Sequence, residues 1–337
     1  MSTIQTQSTP TRRWPGVDDV AEDIRALIDR AEDIVCLAHK DADADSLGSA
    51  LGFAASLRAI GKRVHPVVPA PQPFLLTYLP GFDRLEDAPE RYDVVFTFDC
   101  ATVHRFGDKR FLCESGVPVV NVDHHVSNDG YGTVNLIEPQ ASASGQVVYR
   151  LLTRLGMPID ADVASNLYAA LFTDTGGFRH ENTTEEALRL GADLVRLGAD
   201  PALIALKSYK SRPVPMLKLE GLAVAALQTE FDGRLVWSQV TQEMLDKTGA
   251  SMVESEGVID QLQSIDTMKL AVLFKQMSPS LTKISVRSRD EIDATALCLP
   301  FGGGGHHRAA GAELNLPLEQ ARDAVLSLAR TLLGAIS

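Results

Sequence analysis

The sequence predicts an α/β protein in two parts: an N-terminal domain built on a mostly parallel sheet, and a smaller C-terminal α+β domain. Three observations predict it. The chain has 337 residues, more than one ordinary hydrophobic core serves. Four short apolar runs alternate with helix-spaced segments through its first half, the pattern of parallel strands joined by crossover helices. Beyond Pro213 and Pro215 the alternation gives way to paired strands and one long closing helix.

The elements follow in order. The stretch "MSTIQTQSTPTRRWPG" is polar and lacks the apolar segment of a secretion signal, so residues 1–17 are expected to be a disordered tail. "DIVCLA", from Asp33, reads as a buried strand that stops at His39. Leu47, Ala50, Leu51, Ala54 and Leu57 then recur at helical spacing, and Gly61 supplies the stop. "RVHPVV", "YDVVFTFD" and "VPVVNVD" read as the next three strands. "DVASNLYAALFTDTGGF" is a helix running into Asp174 and a glycine pair. "NTTEEALRLGADLVRLG" opens on a capping box from Thr183 to Glu186. The first domain is placed at 18–190, a helical linker at 191–216, and the second domain at 217–337. In the latter, "FDGRLVWSQV" reads as the turn and second arm of a hairpin. "KLAVLFKQ" and "TKISVRSR" read as a strand pair, "FGGGGHHRAAG" as a glycine-rich loop, and "LEQARDAVLSLARTLL" as the closing helix. On a strand, Arg287 and Arg289 share one face and Ser288 takes the other.

Composition narrows the function. A net charge of −12 argues against a protein that coats long duplex DNA. It leaves room for an enzyme that grips a short phosphate-bearing molecule, because bound divalent ions reverse the local field. No apolar run has membrane-spanning length. The four cysteines are scattered without C-x-x-C spacing, as expected of reduced thiols in the cytoplasm.

Four acidic and histidine clusters carry the chemistry. "HKDADADSLGSA" sets His39 before Asp41, Asp43 and Asp45. An acid-rich helix start, favoured by the helix dipole, is the plain alternative to metal binding. Asp99, in "FTFDCAT", follows a strand and is a cap or a ligand. In "DHH", a helix cap with two partly exposed imidazoles competes with a metal reading. There, one histidine binds an ion, the other faces the substrate, and Asp123 is a ligand or orients an imidazole. Asp174 is a turn residue or a ligand. Together these residues offer enough oxygen and nitrogen donors for two divalent ions, Mn²⁺ or Mg²⁺, roughly 3.5–4 Å apart. No cysteine joins them, which argues against structural zinc. Finally, "GGGGHHRAAG" concentrates glycine beside His306, His307 and Arg308, which suits close approach of backbone N–H groups to an anion.

These motifs, in this order, resemble the DHH/DHHA1 phosphoesterases, and the chain is most similar to their stand-alone nanoRNase branch. The resemblance covers nearly everything from Val35 to Gly311. It implies a DHH catalytic domain, a DHHA1 substrate-binding domain and a cleft between them. It implies one Mn²⁺ held by His39, Asp43 and Asp99. A second is held by Asp45, Asp99, His124 and Asp174, with Asp99 bridging. His125 then faces the phosphate and Asp123 stands behind it, both counted as catalytic. Arg287, Ser288, Gly304, Gly305 and His306 hold the far end of the substrate, with Arg179 as a further contact. The implied reaction is exonucleolytic hydrolysis of short oligoribonucleotides to mononucleotides. The alternatives are removal of the 3′-phosphate of 3′-phosphoadenosine 5′-phosphate, and hydrolysis of cyclic di-AMP or linear diadenylate. A homodimer is compatible with the branch. One departure is Ala42, where the family usually has proline. Asp41 falls where the pattern requires no carboxylate, and reads as a solvated neighbour or loop-stiffening cap.

Overall fold

The computed structural model describes residues 14–334. The expected tail at 1–17 lies mostly outside them. The chain divides into two compact units, residues 1–211 and 212–337.

The first unit opens with helix α1 (Val17–Arg30) and strand β1 (Asp33–Leu37). Helix α2 (Ala44–Ala59), β2 (Arg63–Val67), β3 (Val94–Phe98) and the short α3 (Phe111–Glu114) come next. Then follow β4 (Val119–Asp123), β5 (Val134–Ile137), α4 (Ser144–Arg154), α5 (Ala161–Asp174), α6 (Glu185–Arg196) and α7 (Pro201–Tyr209). The sheet is five-stranded, in the order β2-β1-β3-β4-β5, and every pair in it is parallel. Strands β1, β3 and β4 are near-continuous Val, Ile, Leu and Phe because both their faces are covered. Ile34, Cys36, Phe96 and Phe98 face a core shared with α1, α2, α4 and α5. Val35, Leu37, Val95 and Val119 face the other way, toward Phe106 and Leu112. The chain winds outward from β1 to β2 and then back past it to β3. The carboxyl ends of β1 and β3 are therefore a switch point, where open α/β sheets place ligands.

Two features of this unit depart from the sequence reading. Strand β5 lies in a segment to which the sequence reading assigned no element. Helix α6 is capped by Thr184, whose hydroxyl accepts from Ala187 N at 3.1 Å, and not by Thr183. The box fails because Glu186 turns to Arg150, which donates to its carboxylate at 3.0 Å.

The second unit starts with α8 (Val214–Ala225). Pro213 is its N-cap and Pro215 lies in its first turn, a position that tolerates a missing N–H. It continues with β6 (Gln228–Glu230), β7 (Leu235–Val240), α9 (Gln242–Thr248), α10 (Val258–Gln263), β8 (Leu270–Ser278) and β9 (Leu281–Ser288). Helix α11 (Ala294–Cys298), β10 (Gly304–His306), β11 (Ala309–Leu314) and α12 (Leu318–Gly334) complete it. The sheet runs β10-β11-β9-β8-β7-β6. The expected hairpin β6–β7 and strand pair β8–β9 are antiparallel, and only β7–β8 is parallel. One face packs on α11 and α12 through Ile284, Val286, Ala310 and Val325. The other packs on α8 and α10 through Leu219, Leu262, Ala271 and Leu273. Among the described residues, no helix is long and apolar enough to cross a membrane.

The glycine-rich segment is not a free loop. Gly304–His306 forms β10, paired antiparallel with β11. A Cβ on Gly303 would stand 2.2 Å from the Gly311 carbonyl oxygen, and one on Gly305 would stand 2.4 Å from that of Ala309. Two of the glycines therefore serve backbone packing within the hairpin. Gly304 is different: a Cβ there would meet nothing within 4 Å.

Candidate active site

The motif residues of the first unit converge at the switch point. His39 follows β1 by two residues, Asp99 follows β3 directly, and Asp123 ends β4. Asp43 caps α2 by accepting from Ser46 N at 2.9 Å. Asp43 thus stands at a helix start, as the plain alternative has it, and it also belongs to the cluster. Asp45 lies in the first turn of α2, and Asp174 ends α5.

Three sets of donor atoms lie close enough to share a cation: His39 with Asp43 and Asp99; Asp45 with His124 and Asp174; and Asp99 with His124 and His125. Asp99 belongs to the first and third of these sets and turns one oxygen toward each. Its Oδ2 lies 3.5 Å from His39 Nε2, and its Oδ1 lies 3.4 Å from His124 Nε2. Asp99 also has φ of 58°, the left-handed region that few non-glycine residues adopt. Strain of this kind costs about 1–3 kcal/mol and collects at functional sites.

The electrostatics call for a cation. Burial, with Asp99 and Asp174 adding to it, pushes the Asp45 carboxyl well above its usual range. Burial also raises Asp174; His124 opposes this, Asp99 and Asp43 reinforce it, and the result is about 7. For Asp99 burial acts upward too, but His125, His124 and His39 outweigh it and hold the carboxylate well below the usual value. Burial disfavours charge on His124, yet Asp99, Asp174 and Asp45 raise it well above an ordinary imidazole. This all-oxygen-and-nitrogen donor set fits hard or borderline divalent ions.

Asp41, by contrast, is exposed, with φ of 56°. It belongs to none of the three donor sets.

Residues missed by the sequence reading, most of them neutral, hold the cluster in place. The backbone N–H groups of Ser144 and Gly145 donate to the two oxygens of Asp45, at 2.8 and 2.9 Å. The Ser144 hydroxyl donates to Asp99 Oδ1 at 3.0 Å. Asn128 donates to Asp123 Oδ2, and Asn182 donates to Asp174 Oδ2 at 3.2 Å. A guanidinium nitrogen of Arg105 lies 3.1 Å from His39 Nε2.

The expected substrate contacts have more mixed surroundings. Arg179 lies with its guanidinium over the Tyr209 ring, 5.4 Å from the centroid, and its Nε donates to the Gly176 carbonyl. In the second unit, Arg287 is half-buried on β9, opposite Ala309 of β11. The Ser288 hydroxyl is buried and donates to the His307 carbonyl at 3.1 Å. Arg289 does not share a strand face with Arg287, because β9 ends at Ser288. Its guanidinium donates to the carbonyls of Gln263 and Ile265, at the end of α10. Gly304 and Gly305 lie on β10.

Comparison with known proteins matches this architecture. The N-terminal domain of the DHH family matches residues 33–171, and the DHHA1 domain matches residues 232–335. The chain is 31% identical to the bifunctional oligoribonuclease and PAP phosphatase NrnA of Thermus thermophilus, over 95% of each chain. It is 25% identical to the protein of the same name from Bacillus subtilis, over 83% of this chain and 89% of that one. An exopolyphosphatase-related protein from Bacteroides fragilis has the same fold, with a TM-score of 0.84 at 24% identity, over 94% of this chain and 95% of that one.

Proposed function

The chain belongs to the DHH phosphoesterase family, and from that premise we propose that it hydrolyses short oligoribonucleotides to mononucleotides in the cytoplasm. The observation that carries the reading is Asp99, with one oxygen toward His39 and the other toward His124. A carboxylate so placed suits two divalent ions, Mn²⁺ by preference. His39, Asp43 and Asp99 hold one. Asp45, Asp99, His124 and Asp174 hold the other. When bound, such a pair supplies positive charge to the phosphoryl oxygens and lowers the pKa of an attacking water.

The side chains do the rest. Asp123 accepts from His125 Nδ1 at 2.7 Å, which fixes the orientation of the ring. Burial disfavours charge on His125, but Asp123 and Asp99 raise its pKa above the ordinary value. The protonated ring is thereby ready to donate to the leaving oxygen as its bond to phosphorus breaks and the bond to water's oxygen forms. Arg287, Ser288, Gly304, Gly305 and His306 hold the rest of the substrate, and Arg179 adds a contact. Gly304 is suited to this because neither its conformation nor its neighbours inside the unit require glycine.

Removal of the 3′-phosphate from 3′-phosphoadenosine 5′-phosphate is a second activity of the same centre, favoured by the bifunctional name of the full-length relative. The test is a panel of di-, tri- and longer RNAs, linear and cyclic diadenylates and the 3′,5′-bisphosphate, assayed with Mn²⁺ at equal enzyme. Dimers and trimers should give the highest kcat/KM. Preference for long strands would overturn the assignment.

A further inference from the structure

Helix α4 begins without a side-chain cap of its own. The residue before it, Ala143, has extended backbone and no side-chain group that could accept from the first turn. The first N–H groups of the helix instead meet Asp45, which lies 99 and 100 residues away in sequence from Ser144 and Gly145. Both oxygens of Asp45 are engaged, so the carboxylate cannot rotate. The approach also depends on glycine at 145, since a Cβ there would lie 2.6 Å from the Ala170 Cβ of α5.

Ser144 does a second thing. Its hydroxyl donates to Asp99 Oδ1, the oxygen that faces His124, while Oδ2 faces His39. A carboxylate oxygen has two acceptor directions. With one taken by Ser144, Oδ1 stays turned toward His124 Nε2 and His125 Nδ1, at 3.4 and 3.5 Å, and His124 is the residue through which it meets the second donor set. Rotation of Asp99 that would bring both oxygens to one ion breaks this bond. Ser144 is fully buried, so water cannot readily replace it.

We propose that Ser144 is a positioning residue that keeps Asp99 shared between two metal ions, by fixing its Oδ1 toward the Asp45–His124–Asp174 set. This rests on the two-ion reading above. Loss of the hydroxyl should weaken the second ion selectively, because the first set needs only Asp99 Oδ2.

The experiment titrates the full chain with Mn²⁺ and follows free ion and the exchange-coupled pair by electron paramagnetic resonance. In Ser144→Ala one of the two sites should stay close to wild type. The other should lose about tenfold or more in affinity, the range seen when outer hydrogen-bond partners of ligands are removed. The coupled signal should fade at concentrations that saturate the wild type. Ser144→Thr keeps the hydroxyl and should keep the pair, whereas Ser144→Cys, a weak donor, should behave like alanine. Ser56→Ala is the control: it also deletes a buried hydroxyl, one that donates to the Pro158 carbonyl at 2.7 Å, and should leave the spectrum unchanged. Coupled pairs of wild-type affinity in both Ser144→Ala and Ser144→Cys would overturn the proposal, as would equal loss in Thr and Cys. A wild-type chain that never shows a coupled pair is a different result, and it removes the two-ion reading itself.

Discussion

The carboxylate of Asp123 accepts the imidazole N–H of His125 at 2.7 Å, and the same oxygen takes the backbone N–H groups of His124 and His125 at 2.7 and 3.2 Å. Its other oxygen accepts from Asn128, whose amide oxygen is in turn engaged by Gly130 N and Asn121. The orientation of Asn128 is therefore fixed, and Asp123 is held as an acceptor on both sides.

Replacing Asp123 with Asn puts an amide donor against the Asn128 donor, or turns the amide so that His125 loses its acceptor. Either outcome misplaces the imidazole without removing a proposed metal ligand. Asp123→Asn should lower kcat roughly 10- to 100-fold, as loss of an orienting partner does. Bound Mn²⁺, measured by elemental analysis, should stay at the wild-type level. A matching loss of metal would assign Asp123 to the ion itself.

Asp99 and Asp41 should behave oppositely. Asp99→Ala removes the oxygen atoms shared by two donor sets, and turnover should fall below detection. Asp41→Asn keeps a residue that tolerates φ of 56°, and kcat/KM on a diribonucleotide should remain within about twofold, as for an exposed position of no special role. Substantial activity in Asp99→Ala would remove the shared-carboxylate assignment.

The positions legible in the sequence share one property. His39, Asp99 and Asp123 each stop an apolar run, and a run buried on both faces can end in a polar group only where the strand leaves the core. That is a local signal. Ser144, Asn128 and Asn182 gave none, because they are small and neutral, and their meaning lies in contacts that the fold creates. Ser144 reaches Asp99 across 45 positions and Asp45 across 99. Strand β5 was missed for a related reason: only Leu136 and Ile137 of its four residues are buried. The capping box at Thr183 was a correct pattern overruled by Arg150, a tertiary partner of Glu186. Glycine is depleted in strands, so β10 read as a loop until the approach of Gly311 and Ala310 accounted for Gly303 and Gly305.

Metal affinity should rise with pH. In the metal-free protein Asp174 titrates near 7, and His124 is held protonated well above the usual value. Both must lose a proton to become ligands, so metal and proton compete. Raising the pH from 6 to 8 removes the Asp174 proton across its own range and lowers the cost of displacing that of His124. The Mn²⁺ dissociation constant should fall steadily over this interval, with net proton release in calorimetry repeated in buffers of different ionisation enthalpy. An affinity that is flat with pH would place neither residue at the ion.

Gly303 and Gly304, adjacent in the glycine run, should behave differently. Gly303→Ala drives a methyl into the Gly311 carbonyl at 2.2 Å, and overpacking of this sort costs about 1–3 kcal/mol. Its midpoint in urea should drop, along with activity. Gly304→Ala has open space around the added carbon, so the midpoint should hold. Its KM for a dinucleotide should nonetheless rise, because the methyl occupies room proposed for substrate. A Gly304→Ala protein with wild-type KM would show that this glycine serves neither fold nor ligand.

The last expectation separates recognition from chemistry. The proposed metal ligands all lie in the first unit, and Arg287 lies in the second. Binding energy from a remote part of a substrate can position the reacting phosphate, so its loss lowers kcat as well as raising KM. Arg287→Ala should keep full Mn²⁺ binding and hydrolyse diribonucleotides poorly. Bis-p-nitrophenyl phosphate carries no nucleoside for the second unit to hold, so its hydrolysis should fall much less. The comparison uses kcat/KM on both substrates, with His306→Ala measured beside it. If Arg287 serves the fold, both substrates suffer equally and the urea midpoint moves with them. If it serves the chemistry, both suffer equally with the midpoint unchanged. Only a loss confined to the dinucleotide, at constant stability and metal content, matches a residue that captures substrate.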